Sequence, residues 1–220
     1  MLLDLLLPQR CVACRVPGAA LCACCATALP RLVEPLCARC GAPTAWPVAR
    51  CGECAGRRLG FAAARAAVSY EDDAVRAVVR AWKERGVRGL GGVAADIVCA
   101  TIPRPDADLL VPVPPDGDRS LERGHHPPAR LARELGRCWQ LPVARPLVRT
   151  RPLRRQRGLT LAERRRNVRG AFAVRGPVPQ AVVLVDDVYT TGSTAAEAAR
   201  ALRAAGARRI QVIAFARALR

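Results

Sequence analysis

The chain has 220 residues, 51% of them apolar, which is enough for one α/β core and a small appendage. Its formal charge of +18 is carried almost wholly by arginine, Lys83 being the only lysine. No apolar run nears the ~18 residues of a membrane-spanning helix, so membrane insertion is not expected.

The opening MLLDLLL contains Asp4 and stops at Pro8, with no charged leader and no small-residue cleavage site. A short amphipathic helix packed on the protein is expected there, in a cytoplasmic protein. The positive charge suits polyanions such as nucleic acid, phosphorylated substrates or anionic surfaces. A compositional preference for arginine as the solvated cation accounts for the same charge with no partner at all.

Nine of the eleven cysteines precede residue 55. The composition changes there, predicting a cysteine-rich module over 1–58 and an α/β domain over 59–220. The cysteines fall as Cys11-x2-Cys14, Cys22-x2-Cys25, Cys37-x2-Cys40 and Cys51-x2-Cys54, with Cys24 to spare. A C-x2-C turn presents two thiolates to one metal, and two turns complete a tetrahedral Cys₄ site. In a reducing compartment this pattern favours zinc over disulfides. Sequential pairing closes the shortest loops, giving Cys11/Cys14/Cys22/Cys25 and Cys37/Cys40/Cys51/Cys54. Interleaved pairing, or a single occupied site, stays open. With four protein ligands and no open position, one or two Zn²⁺ ions would be structural and would supply much of the module's stability.

Beyond Arg65 strands and helices alternate. AAVSY (66–70) reads as a strand, and Asp72 or Asp73 caps a helix reaching about Lys83. A second helix covers roughly Leu90–Ala100. Asp108–Val113 is a buried strand ended by Pro114-Pro115. A helix follows over Ala129–Trp139, then a strand over Val143–Val148. Arg149–Arg169 is long, polar and basic, as lids and disordered segments are, although a solvated surface loop reads the same way. Ala171–Val174 and Ala181–Val185 are strands, Gly192–Ala205 is a helix stopped by Gly206, and Ile210–Phe215 closes the chain as a strand. Strands separated by helices predict a mostly parallel sheet covered on both faces.

The segment VVLVDDVYTTGST (182–194) carries the chemistry. An apolar strand emits Asp186 and Asp187 at its carboxyl end, the edge where parallel sheets bind ligands. Thr190, Thr191, Gly192, Ser193 and Thr194 then open a helix, whose free N–H groups and positive dipole end suit a phosphate. Two carboxylates about one sugar-length away can accept hydrogen bonds from ribose hydroxyls, or stabilise positive charge on the ring. Thr194 with Glu197 also matches a capping box, a purely structural use of the pattern.

DDVYTTGST resembles the 5-phosphoribosyl 1-pyrophosphate (PRPP) signature of type I phosphoribosyltransferases, in its ComF form. Asp108–Pro114 with Arg123-Gly124 is similar to the PVP…RG segment of that family. Gln156, Leu159, Arg164, Asn167 and Phe172 fall in order on its Q…L…R..N…F pattern. Tyr70 and Lys83-Glu84-Arg85-Gly86 resemble an upstream element. The likeness covers nearly the whole chain and implies a type I phosphoribosyltransferase-like sheet behind a double zinc ribbon.

It further implies PRPP with Mg²⁺ as ligand. Asp186 and Asp187 would hold the ribose hydroxyls and Thr190–Thr194 the 5-phosphate. The loop after Pro114, with Arg123, would approach the pyrophosphate, and Arg149–Arg169, with Gln156 and Arg164, would close over it. The family reads RGFNQ where this chain has Arg123-Gly124-His125-His126-Pro127, so no roles transfer to the last three. Either histidine could contact a phosphate or exchange protons near neutral pH, or simply lie on a surface loop.

Two functions remain open. One is transfer of phosphoribose to a nitrogenous acceptor, although no acceptor hood is legible. The other is a non-catalytic factor associated with single-stranded DNA and the DNA-uptake machinery of natural transformation, which membership of ComF implies. Arginine and zinc knuckles suit phosphate contact, whereas 4% aromatic residues leave few platforms for base stacking.

Overall fold

The computed structural model describes residues 9–115, 126–151 and 160–219. The helix expected over residues 1–7 lies outside them, as do Arg123, Gly124, His125, Gln156 and Leu159. A short helix α1 (Ala23–Ala28) sits in the cysteine module. The α/β part follows as β1 (Ala63–Ser69), α2 (Asp73–Glu84), α3 (Leu90–Thr101), β2 (Leu109–Pro112), α4 (Pro127–Trp139), β3 (Leu147–Arg149), α5 (Leu161–Val168), β4 (Phe172–Val174), β5 (Ala181–Tyr189), α6 (Ser193–Ala204) and β6 (Arg209–Arg217). Among the described residues no helix is long and apolar enough to cross a membrane.

Four strands form one parallel sheet in the order β1-β6-β5-β2. Val143 extends it by a single parallel bridge to Leu110. The continuous apolar run of β5 is explained by burial on both faces. Val183 and Val185 pack with Val75, Val79, Trp82 and Leu131 of α2 and α4, while Val182 and Leu184 pack with Ala195, Ala198 and Leu202 of α6. Trp82 meets Phe215 edge to face at 6.2 Å. Asp72 caps α2, its side chain accepting the Val75 N–H at 3.0 Å.

This arrangement creates a switch point. From β5 the chain crosses by α6, on one face, to β6. From β2 it passes along the other face by α4 to the Val143 bridge. The carboxyl ends of β5 and β2 therefore lie at a topological switch point between diverging connections, the place where open α/β sheets take ligands.

The structure corrects four sequence expectations. The strand expected to stop at Val185 runs on to Tyr189, because β6 keeps pairing with it (Val188 with Ala216, Tyr189 with Arg217) after β2 has ended at Pro112. Val143–Val148 is not one strand: Pro146, which has no N–H, separates the Val143 bridge from β3, and β3 pairs antiparallel with β4 instead. Arg149–Arg169 is not all loop, since it ends in α5, opened by a Thr160–Glu163 capping box. The box expected at Thr194 is absent, because that helix already starts after Gly192, and Glu197 instead accepts from the Gly170 N–H and pairs with Arg200. Cys99 and Cys138, outside the cysteine module, are joined between α3 and α4.

The cysteine module closes the β1 edge of the sheet. Arg31 forms an antiparallel bridge with Val68, the Leu32 N–H donates to the Ala67 carbonyl at 2.9 Å, and the Ala64 N–H donates to the Arg39 carbonyl at 3.0 Å. Covering an edge in this way removes a template for wrong pairing. Cys11, Leu21 and Leu29 pack in the core beneath α2, whereas Leu32, Cys37, Leu59 and Phe61 pack in the core beneath α6. Both cores thus include residues from either side of position 58.

Candidate functional site

The module contains two sulfur clusters. The Sγ atoms of Cys11, Cys14, Cys22 and Cys25 lie within 4.8 Å of one another, as do those of Cys37, Cys40, Cys51 and Cys54. A tetrahedral zinc with Zn–S near 2.3 Å requires sulfurs about 3.8 Å apart. The clusters show 3.7 Å for Cys14–Cys22, 3.6 Å for Cys37–Cys54 and 4.0 Å for Cys51–Cys54. Backbone N–H groups point at the sulfurs, Cys22 to Cys11 at 3.5 Å and Cys51 to Cys37 at 3.3 Å. Burial opposes ionisation of Cys11 and Cys37, yet such hydrogen bonds hold both thiols down to about 6. The residues present therefore fit two structural Zn²⁺ ions, with sequential pairing. Cys24 stands exposed outside both clusters.

At the switch point β5 delivers Asp186 and Asp187. Asp187 is 5% exposed and pairs with the Lys83 ammonium at 2.8 Å. Each carboxylate also accepts the next backbone N–H, Asp186 from Asp187 at 2.9 Å and Asp187 from Val188 at 2.7 Å. The sequence marks Lys83 as the sole lysine and as part of the Lys83-Glu84-Arg85-Gly86 element that carries the family resemblance, but assigns it no role.

Burial pushes the Asp186 carboxyl up to about 8; the neighbouring Asp187 adds to that and Lys83 opposes it. Burial would lower the Lys83 ammonium, but Asp187 and Asp186 outweigh it and its pKa is raised. His126, the residue before α4, is half-buried rather than on a surface loop. Burial drives its pKa down to about 4 against the attraction of Asp187, so the ring is neutral at physiological pH.

The turn after β5 is built tightly. The Thr191 hydroxyl donates to the Ser193 hydroxyl at 2.8 Å, and the Ser193 N–H donates to Thr191 Oγ1 at 3.2 Å. Gly192 has φ +68°, and a Cβ there would meet the Tyr189 ring, so both the turn and the close approach need glycine. Helix α6 then begins with no side-chain cap and no acidic residue in its first turn, leaving its positive end uncompensated by a carboxylate. Thr190 and Thr194 flank the turn, half-buried.

The Pro114 carbonyl, just past β2, accepts from Arg149 Nε at 3.1 Å, which ties the end of β3 to the end of β2. Arg164 lies on α5. The structure thus brings Asp186, Asp187 and Lys83 together beside His126, and sets Thr190–Thr194 one turn of chain away.

These charges give a pH signature. A carboxyl with a raised folded pKa binds more protons folded than unfolded, so the contribution of Asp186 to stability falls as pH rises from about 4 towards about 8. Asp186→Asn cannot ionise. Urea unfolding at about pH 5 and about pH 8 should show a smaller loss for the variant than for wild type, and equal losses would contradict a raised Asp186.

Comparison with known proteins agrees with both parts of the chain. Residues 2–55 match the double zinc ribbon domain family. DNA utilization protein YhgH of Salmonella typhi is 30% identical over 231 residues, spanning 98% of this chain and 100% of that protein. Competence protein F of Haemophilus influenzae is 37% identical over 116 residues, and YhgH of Escherichia coli (strain K12) is 38% identical over 117. In these two matches the chain spans about half the length of the relative, 51% and 50%. The end-to-end relationship with the Salmonella protein decides the assignment: the chain belongs to the family of competence protein F and DNA utilization protein YhgH.

Proposed function

We propose that the switch point takes a ribose 5-phosphate group, as carried by PRPP, and that the protein uses this site in DNA utilization. The observation that supports this best is the pairing of two ligands' worth of chemistry on one strand–turn–helix unit. Asp186 and Asp187 stand near the carboxyl end of β5, and the uncapped, acid-free start of α6 follows at Ser193. The phosphate would sit on the Thr190–Thr194 turn and the ribose hydroxyls would face the two acids.

Each residue then has work suited to its state. Lys83 holds the Asp187 carboxylate in place by its 2.8 Å ion pair, leaving its other oxygen as a hydrogen-bond acceptor. Asp186, easily protonated, can donate or accept. Neutral His126 offers a ring nitrogen at the switch point. Among the described residues the only His, Cys, Asp and Glu groups clustered to hold a metal are the two Cys₄ sets. Mg²⁺ would therefore arrive with the pyrophosphate, held by ligand oxygens and water, to neutralise a departing pyrophosphate. In a transfer, the bond from ribose C1 to pyrophosphate breaks as a bond to an acceptor nitrogen forms, while the carboxylates stabilise positive charge on the ring. Arg123, Gln156 and Arg164 are the proposed contributors to closure.

Isothermal titration with PRPP and Mg²⁺ tests the site. Wild type should bind, and Asp186→Asn/Asp187→Asn should lose at least about tenfold, the worth of one hydrogen bond to a charged group. Equal binding by both would contradict the assignment. Pyrophosphate release in a screen of nitrogenous acceptors would identify turnover.

A second reading, a non-catalytic single-stranded DNA factor, is favoured by the second knuckle. Trp46 stands 69% exposed there, in a loop that ends at the exposed Arg50. An exposed indole in the same loop as an exposed arginine offers a stacking platform and a phosphate contact. Affinity for single-stranded DNA should fall steeply between about 50 and 200 mM salt, and flat or absent binding at low salt would remove this reading.

A further inference from the structure

We propose that the second zinc knuckle is a working part of the phosphate turn, with Arg57 as its positioning residue. This rests on reading residues 190–194 as an anion site. Arg57 lies three residues beyond Cys54 and is tied to the knuckle twice. Its N–H donates to the Cys54 carbonyl at 3.2 Å, and its Nη1 donates to the Glu53 carbonyl at 3.3 Å. Its Nη2 reaches across to the Thr191 carbonyl at 2.5 Å.

That contact matters because of the peptide it holds. In a trans peptide the carbonyl and the following N–H point in opposite directions. With the Thr191 oxygen held on the knuckle side, the Gly192 N–H is turned away from the knuckle. Gly192 has φ +68° and glycine crosses between backbone regions at little cost, so residue 192 itself does not lock this peptide's orientation. A flip would replace a donor by an acceptor at the proposed anion seat. The guanidinium of Arg57 blocks it.

A second strut runs parallel. Arg217, at the end of β6 and 1% exposed, donates to the Cys40 carbonyl at 2.6 Å and to Cys40 Sγ at 3.7 Å, and pairs with Glu53 at 2.7 Å. Its guanidinium lies 4.9 Å from the centre of the Tyr189 ring, and that ring closes over Gly192. Cys40 and Glu53 thus hold the arginine that lies against the ring over Gly192, Arg57 holds the Thr191 carbonyl, and all three knuckle residues depend on the metal that folds the knuckle. Of the first cluster, Cys11, Cys22 and Cys25 pack with the opposite core.

The test uses the full-length, zinc-loaded protein, with hydrogen exchange of a peptide covering 190–194 and titration with ribose 5-phosphate as readouts. Arg57→Met keeps an unbranched stem and both metal sites. It should raise exchange in 190–194, lower ribose 5-phosphate affinity by about tenfold and leave zinc content unchanged, while Arg57→Lys recovers part of both effects. Cys51→Ser in the second cluster should raise exchange in the same peptide, whereas Cys22→Ser in the first should not. Unchanged exchange in 190–194 for both Arg57→Met and Cys51→Ser overturns the proposal. If wild type binds no ribose 5-phosphate but exchange responds as stated, the sugar-phosphate reading fails and the link between knuckle and turn stands.

Discussion

A strand that is hydrogen-bonded along both edges and covered on both faces cannot turn aside, so the residues after its apolar run arrive at a fixed place. β5 is such a strand, held by β2 and β6 and buried between the α2–α4 layer and α6. Because β2 stops at Pro112 while β6 accompanies β5 to Tyr189, Asp186 and Asp187 emerge where pairing on one side has ended. Everything proposed for the site depends on that difference in strand length.

Charge then differentiates two chemically identical neighbours. Asp187 is buried but satisfied by Lys83, whereas Asp186 is pushed towards its neutral form by burial and by Asp187. An ion pair on one acid and a raised pKa on the other lower the cost of burying two carboxyl groups side by side. The neutral His126 adds no further charge. The positive end of α6, one turn away, has no acid in its own first turn to offset it.

Much of this was legible in the chain because it depends on local order. The apolar run of β5, the acid pair, the glycine before α6 and the C-x2-C turns are each contiguous, and each proved to be a contiguous structural unit. One misreading came from competition between equivalent local signals. Thr160-x-x-Glu163 and Thr194-x-x-Glu197 have the same capping pattern, but only the first caps, since Gly192 had already started the second helix and Glu197 was drawn to Gly170 and Arg200. Pairings across long sequence separations had no local signal at all. Lys83 with Asp187, Arg57 with Thr191 and Arg217 with Cys40 exist only because the sheet and the knuckles bring them together. The clasp of the cysteine module around β1 belongs to the same class.

A structure of the protein with ribose 5-phosphate bound tests the central claim most directly, because it locates both ends of the ligand at once. The account places the phosphate against the Thr190–Thr194 turn at the start of α6, with the ring hydroxyls towards Asp186 and Asp187 and the Lys83 pair retained. A phosphate seated elsewhere, with the two acids turned away from the sugar, would contradict it.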